Sequence, residues 1–279
     1  MSKIPFVKAH GLGNDFILID WRDADRPFPL DRVVPLCDRR FGIGADGILL
    51  VLPGETEAFR MRIYNSDGSL AEMCGNGIRC FALYLNRYLG VTSENVTIET
   101  DAGPLSCHFD DPESPEQFTI NMGRAYLARA DIPMAGTGDP FEQTVEAGGR
   151  ELVGHGVGMG NPHFILFGDW SRSDVDRLGP ELMQHALFPR RTNVEFAQMQ
   201  SAEEIDLTVY ERGCGVTMAC GTGASATAVA AVRTGLSAPN TDIAVNLPGG
   251  TLTIRVEEDY SSVWMTGPAV VVYEGAVEL

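Results

Sequence analysis

Two cysteines in this chain are each followed by Gly-x-Gly: Met73-Cys74-Gly75-Asn76-Gly77 and Ala219-Cys220-Gly221-Thr222-Gly223. A thiol beside backbone N–H groups that no Cβ crowds is placed for redox chemistry or for proton transfer to a small bound acid. The surroundings repeat as well. Tyr64 precedes Cys74 by ten residues and Tyr210 precedes Cys220 by ten. Each tyrosine ends an alternating run, Arg62-Ile63-Tyr64 or Leu207-Thr208-Val209-Tyr210, that reads as a strand. Further upstream, Gly11-Leu12-Gly13-Asn14 with Phe16-Ile17-Leu18 behind it recurs as Gly158-Met159-Gly160-Asn161 with Phe164-Ile165-Leu166. The chain reads as a duplicated domain. Each copy brings one cysteine to the same kind of site, and a pseudo-two-fold axis would set the two thiols facing one another across a cleft.

The elements that must position the thiols are helices. After the first Cys-Gly-x-Gly, Ile78, Phe81, Ala82, Leu85 and Leu89 fall at helical spacing and Gly90 supplies a C-terminal stop. After the second, Ala224 to Val232 is small and apolar on nearly every face, the pattern of a helix buried all round, and Gly235 ends it. Both cysteines are thus expected at helix N-termini, where unpaired N–H groups and the positive end of the dipole favour a thiolate and can hold a carboxylate. Gly42-Ile43-Gly44-Ala45-Asp46-Gly47 has neither a phosphate-loop ending nor dinucleotide-fingerprint spacing and reads as a tight turn before a strand over Ile48–Leu52.

At 279 residues the chain accommodates two domains. The repeat places them at 1–118 and 119–264, with 265–279, including the strand-like Ala269–Tyr273, returning to complete the first. A net charge of −17 argues against nucleic acid or an anionic membrane as partner. The longest apolar runs are of strand length, and the N-terminus lacks a signal-peptide core, so a cytoplasmic enzyme is expected. Six cysteines are too few and too scattered for a disulfide scaffold, and none has zinc spacing. Cys37, Cys80 and Cys107 read as packing residues, and no metal or cofactor is expected.

Two chemistries remain open for a thiol pair. One is a reversible disulfide. The other is proton transfer, in which a thiolate takes a proton from carbon while the opposed thiol delivers one to the other face, inverting a stereocentre. The second accounts for the duplication, because the two faces of a planar carbanion are near mirror images and call for near-equivalent acid/base groups. A thiol titrating near pH ~8.5 can supply one of each at neutral pH.

Five ordered motifs carry a resemblance to the diaminopimelate epimerase family: His10-Gly11-Leu12-Gly13-Asn14-Asp15-Phe16; Tyr64-Asn65-Ser66-Asp67-Gly68-Ser69 with Met73 to Cys80; Gly160-Asn161-Pro162-His163; Thr192-Asn193-Val194-Glu195-Phe196; and Glu211-Arg212-Gly213 with Ala219 to Ala224. The resemblance implies a cofactor-independent isomerase that interconverts LL- and meso-2,6-diaminopimelate on the route to lysine and peptidoglycan. It also implies an α+β fold of two pseudo-symmetric barrel-like domains, each wrapped around a central helix, and a homodimer. By matching position, Cys74 is the proton donor and Cys220 the acceptor in the LL-to-meso direction. The N–H groups of Gly75-Asn76 and Gly221-Thr222 hold the reacting carboxylate. Asn14, Asn65, Asn161, Asn193 and Arg212 match substrate ligands. His163 and Glu211 match residues that adjust the cysteines' protonation, and Glu211 also matches a ligand of the substrate amine.

Plainer readings stand beside these. Asn14 could be a turn residue, His163 a satisfied core histidine, and Glu211 with Arg212 a surface ion pair. Cys214 reads as a loop residue, since its counterpart in the first copy is Gly68. Two positions depart from the family pattern: Val216, where glutamate is usual, and Gly47, where a polar residue is common. They leave open a related racemase of another amino acid, such as a proline-racemase-like enzyme, although Asn76 stands where that family has histidine. A non-enzymatic thiol redox switch is the remaining alternative.

Overall fold

The computed structural model describes residues 3–71, 73–113 and 115–279. Part of the N-terminal expectation, at Met1 and Ser2, lies outside them. The chain divides into two compact units, residues 1–120 with 266–279, and residues 121–265.

In the first unit the hairpin of β1 (Ile4–Gly11) and β2 (Asn14–Asp20) is closed by a two-residue turn, Leu12 at φ 54° and Gly13 at φ 85°. Positive φ at both central positions gives the turn the twist of the flanking strands, and a glycine takes the second at no steric cost. After the short helix α1 (Val33–Cys37), β3 (Gly47–Pro53) lies parallel to β2, and β4 (Phe59–Asn65) lies antiparallel to β3. The short β5 (Leu70–Ala71) folds back on β4 and leads into α2 (Gly75–Leu89). β6 (Asn95–Thr100) pairs in parallel with β4, followed by antiparallel β7 (Gly103–Phe109) and β8 (Gln117–Asn121).

The second unit opens with β9 (Gln143–Ala147) antiparallel to β10 (Arg150–Gly158) and then repeats the scheme. β10 and β11 (Pro162–Phe167) form the hairpin; after α3 (Arg172–Met183), β12 (Asn193–Ser201) runs parallel to β11 and β13 (Glu204–Glu211) antiparallel to β12. β14 (Gly215–Val216) folds back on β13 and leads into α4 (Gly221–Arg233); β15 (Asp242–Leu247) is parallel to β13 and β16 (Gly250–Val256) antiparallel to β15. Then comes β17 (Val263–Pro268). The last strand, β18 (Val270–Val277), pairs antiparallel with β1. The pairings from β1 to β7 therefore recur, with the same directions, from β10 to β16, and the fold is α+β in two equivalent halves.

Each half is organised around its long helix. α2 buries Ile78, Phe81, Ala82 and Leu85, the larger three side chains contributing about 1.5–3 kcal/mol each, while Leu89 is half-buried. α4 is buried at every position from Gly223 to Val232. Its small side chains let strands approach from all sides.

The helices differ from the sequence expectation in where they start. Both begin at the first glycine of Cys-Gly-x-Gly, three residues early, so the glycines form the first turn and Cys74 and Cys220 are the N-caps. Cys74 serves the cap directly, its Sγ accepting the N–H of Gly77 at 3.4 Å.

Candidate active site

Around Cys74 the first unit assembles a chain of polar contacts. Cys74 Sγ lies 3.6 Å from Asn14 Oδ1, and the same oxygen accepts from Asn76 Nδ2 at 3.2 Å. Asn14 in turn donates from Nδ2 to Asp46 at 2.8 Å. The hairpin turn thus brings Asn14 onto the helix N-terminus, and its amide orientation is set from both ends. Behind it, Asp15 is bound by the buried Lys8 and by Arg39, which also pairs with Asp46. Burial alone would raise the Asp15 carboxyl; the hydrogen bonds from Arg39 and Lys8 outweigh it and hold the group well below the usual carboxylate range. Under the first turn of α2 lies Arg79, wholly buried, donating to the carbonyls of Gly75 and Pro268 and to Asn76 Oδ1.

The second unit builds its counterpart differently. Cys220 is buried, its Sγ 3.6 Å from Thr222 Oγ1, and Asn161 donates to that hydroxyl at 3.4 Å. Asn161 Oδ1 faces His163 Nε2 at 2.8 Å, and His163 Nδ1 faces Glu195 Oε1 at 2.6 Å. Glu211 accepts from the hydroxyl of Thr217. Asn193 is buried, donating to the carbonyl of Pro162 and accepting the N–H of Arg212. Arg212 is exposed just beyond β13, its guanidinium donating to the carbonyl of Arg190 at 3.2 Å. Asn65, in the first unit, is exposed and donates to Ser69 Oγ at 2.9 Å.

The electrostatics of Cys220 correct one expectation. A helix N-terminus favours a thiolate by about 0.3–1 kcal/mol at an exposed site. Here burial comes first and the carboxyls of Glu211 and Glu195 add to it, so the thiol is pushed well above its ordinary range despite the opposing Thr222 hydroxyl and Gly223 N–H. Burial and the two carboxyls thus favour the protonated form of Cys220.

His163 is fully buried with both ring nitrogens facing oxygen atoms, an arrangement that fits the plainer reading of a satisfied core histidine as well as a place beside Cys220. Glu195, inside one of the quoted motifs, has no role in the sequence reading. The signal for it was its strand register, two residues beyond Asn193 and so on the same face. The two departures from the family pattern both sit in packed surroundings. A Cβ on Gly47 would lie 2.6 Å from the backbone oxygen of Tyr64, and Val216 packs against the core that holds Phe164, Val194 and Phe196. Cys214 is an exposed loop residue between β13 and β14.

With a cysteine capping the long helix of each half, the chain has a duplicated α+β fold. Solved structures share it over nearly the whole chain. A Bacillus anthracis phenazine biosynthesis protein of the PhzF family superposes with TM-score 0.73 at 18% identity, covering 100% of both chains. A hydroxyproline epimerase from Agrobacterium vitis gives TM-score 0.70 at 17% identity, covering 99% of this chain and 93% of that one. At such identities the likeness is one of fold. Sequence comparison is narrower. The profile of the family described as diaminopimelate epimerase matches residues 6–128 and 156–272. A diaminopimelate epimerase of Moorella thermoacetica is 47% identical over 274 residues, 97% of this chain and 98% of that protein; one from Synechococcus elongatus is 45% identical over 284 residues, 99% of each. The chain belongs to the diaminopimelate epimerase family, isomerases that act without a cofactor.

Proposed function

We propose that this chain interconverts LL- and meso-2,6-diaminopimelate, in the formation of lysine and peptidoglycan precursors, with Cys74 and Cys220 as its acid/base pair. A thiolate removes the α-proton, leaving a planar carbanion, and the other cysteine gives its S–H proton to the opposite face. Charge and protons balance: one sulfur gains the proton that the substrate loses, and the other loses the one that the product gains. In the LL-to-meso direction Cys74 donates and Cys220 accepts. The buried thiol of Cys220 is then the starting state for the reverse direction.

The observation that carries this reading is the repeated placement of a cysteine as N-cap of a buried helix in two halves of identical strand topology. Backbone N–H groups of Gly75-Asn76 and of Gly221-Thr222 receive the reacting carboxylate, whose charge the helix ends favour over that of a neutral group. They stabilise the developing carbanion through the same carboxylate. Asn14, Asn65, Asn161, Asn193, Glu211 and Arg212 grip the amino-acid ends of the substrate, and His163 and Glu211 adjust the cysteines.

Among the described residues no helix is long and apolar enough to cross a membrane, which accords with work in the cytoplasm on a small soluble substrate. A homodimer fits the exposed Val270, Val272 and Tyr273 of β18. The test is incubation of the reduced enzyme with LL-diaminopimelate in deuterated water. Meso product carrying deuterium at the inverted carbon is expected; unchanged substrate, or inversion without solvent deuterium, overturns the reading.

A further inference from the structure

Glu195 is a carboxyl on β12 with no solvent exposure. An isolated buried carboxylate costs several kcal/mol, so its neighbours must hold it. From β11, His163 Nδ1 stands 2.6 Å from Oε1 and the N–H of Phe164 donates to Oε2 at 3.1 Å. From β13, Glu211 acts on it as a like charge. From α4, Gly223 comes so close that a Cβ there would lie 3.1 Å from Glu195 Oε1 and 3.3 Å from Cys220 Sγ. The carboxyl therefore has the imidazole on one side and the first turn beneath Cys220 on the other.

The protons of this group can be counted. Asn161 donates from Nδ2 to Thr222 Oγ1, which turns its Oδ1 toward His163 Nε2. With the amide in this orientation its oxygen only accepts, so Nε2 carries the proton of this contact. One further proton remains for the short Nδ1···Oε1 contact. It sits on Nδ1, making an imidazolium and carboxylate, or on Oε1, making a neutral pair. The first form directs a negative charge at α4 and the second does not.

We propose that Glu195 is a positioning residue of the epimerase site: it holds the ring of His163 with Nε2 protonated, shares one mobile proton with Nδ1, and bears on Cys220 through the first turn of α4. The proposal rests on the reading of Cys220 as an acid/base group of the inversion. When Cys220 gives up its proton, a thiolate forms next to the carboxyl. Transfer of the shared proton from Nδ1 to Oε1 then removes the adjacent negative charge, with no net gain or loss of protons in the pair. The groups that face Cys220 in this exchange are Glu195, Glu211, Thr222 and the Gly223 N–H.

Glu195→Gln tests this, because the amide keeps the side-chain shape, donates to Nδ1, accepts from Phe164, and cannot ionise. The variant is expected to bind diaminopimelate with KM changed by less than about threefold while kcat falls by roughly tenfold or more, since only the charged step loses its partner. Its rate of Cys220 alkylation by iodoacetamide, followed by mass spectrometry of the labelled peptide, should reach half-maximum at a pH lower by about half a unit or more, the sign expected on removing a neighbouring anion. A merely structural glutamate would lower the melting temperature and leave that profile in place. The wild type supplies a reading that needs no variant: ¹⁵N NMR of histidine-labelled enzyme, with His163 assigned by difference from His163→Gln, should show Nε2 protonated throughout. Wild-type kcat and an unmoved Cys220 profile in Glu195→Gln overturn the proposal, as does a neutral His163 with its proton on Nδ1 alone. If the wild type fails to epimerise diaminopimelate, the assignment of the reaction falls, while the tautomer and the alkylation profile still decide the part played by Glu195.

Discussion

Asn193 Oδ1 accepts the backbone N–H of Arg212 at 2.8 Å, while its Nδ2 donates to the carbonyl of Pro162 at 3.2 Å. A buried amide at the start of β12 thereby ties together the residue that follows β13 and the residue that begins β11. The three strands are adjacent in the order β11, β12, β13, so the bond fixes where the Arg212 side chain leaves the sheet. In the proposed substrate grip, Asn193 acts as much by aiming Arg212 as by its own amide.

The first prediction concerns that guanidinium. Arg212 is proposed to hold the distal carboxylate of diaminopimelate through two parallel hydrogen bonds, a geometry that an ammonium cannot reproduce. Binding energy at the remote end is used to place the α-carbon, so its loss lowers turnover as well as affinity. Arg212→Lys is expected to lower kcat/KM by at least roughly tenfold, about 1.4 kcal/mol of transition-state stabilisation. Alanine and proline, which lack a distal carboxylate, should be racemised barely at all by the wild type. Steady-state kinetics on the three amino acids checks both, and diaminopimelate turnover indifferent to Arg212→Lys refutes the grip.

Cys74→Ser and Cys220→Ser should each abolish inversion and leave the fold intact. In the proposed mechanism each sulfur serves one face of the stereocentre, and a serine hydroxyl is too weak an acid to supply an alkoxide base at neutral pH. Cys74 is partly buried and Cys220 buried, and the loss of a sulfur for an oxygen in either cap changes little packing. Circular dichroism with the deuterium assay separates the two effects. Near wild-type turnover in either variant excludes the two-base mechanism.

Much of the fold was legible because local pattern and tertiary context agree at the thiols. Tyr64 and Tyr210 lie at the ends of β4 and β13, and the all-apolar face count from Ala224 to Val232 marked a helix buried all round. The helix α3 was not read from the sequence. Its capping box of Ser171 and Asp174 was visible, but Pro180 sits inside it and breaks the pattern that periodicity looks for. The influences that favour a protonated Cys220 were out of reach for a different reason. A dipole belongs to the helix and can be read locally, whereas burial and the carboxyls of Glu195 and Glu211 arrive from separate strands. Glu195 itself was hidden because a carboxyl in the apolar run Val194 to Ala197 acquires a role only when β11 and β12 pair with His163 opposite Asn193.

Gly47 offers a test of whether a family departure marks specificity or backbone geometry. The residue faces Asn65 across the β3–β4 pairing, and any Cβ there would lie 2.6 Å from the carbonyl oxygen of Tyr64. Gly47→Gln is expected to destabilise the protein by about 1–3 kcal/mol, the range for forcing atoms into packed surroundings. It should not improve kcat/KM for diaminopimelate. Thermal unfolding and steady-state kinetics measure the two quantities. An unchanged melting temperature with a higher kcat/KM would reverse the interpretation and make Gly47 a lost substrate contact.

The last prediction is a loss of stability at alkaline pH. Burial pushes the thiol of Cys37 to about 11 and those of Cys80 and Cys107 to about 12. In the unfolded chain a thiol ionises near pH ~8.5. A group whose pKa is raised on folding contributes stability that is fully present below the unfolded value and is lost as pH climbs through the folded one, because the unfolded chain gives up its proton first. Between pH ~8.5 and about 11–12 the three thiols therefore all pull in the same direction, toward unfolding. The urea midpoint measured under reducing conditions should fall steadily from pH 8.5 to pH 10.5, the range opened by that ~8.5 reference value. The double variant Cys80→Ala with Cys107→Ala starts from a lower midpoint, since each alanine leaves a small cavity, but it lacks two of the ionising groups and its midpoint should decline less steeply. An equal slope in the variant would assign the alkaline loss to the other raised groups, the thiols of Cys37 and Cys220 and the phenols of Tyr84 and Tyr88.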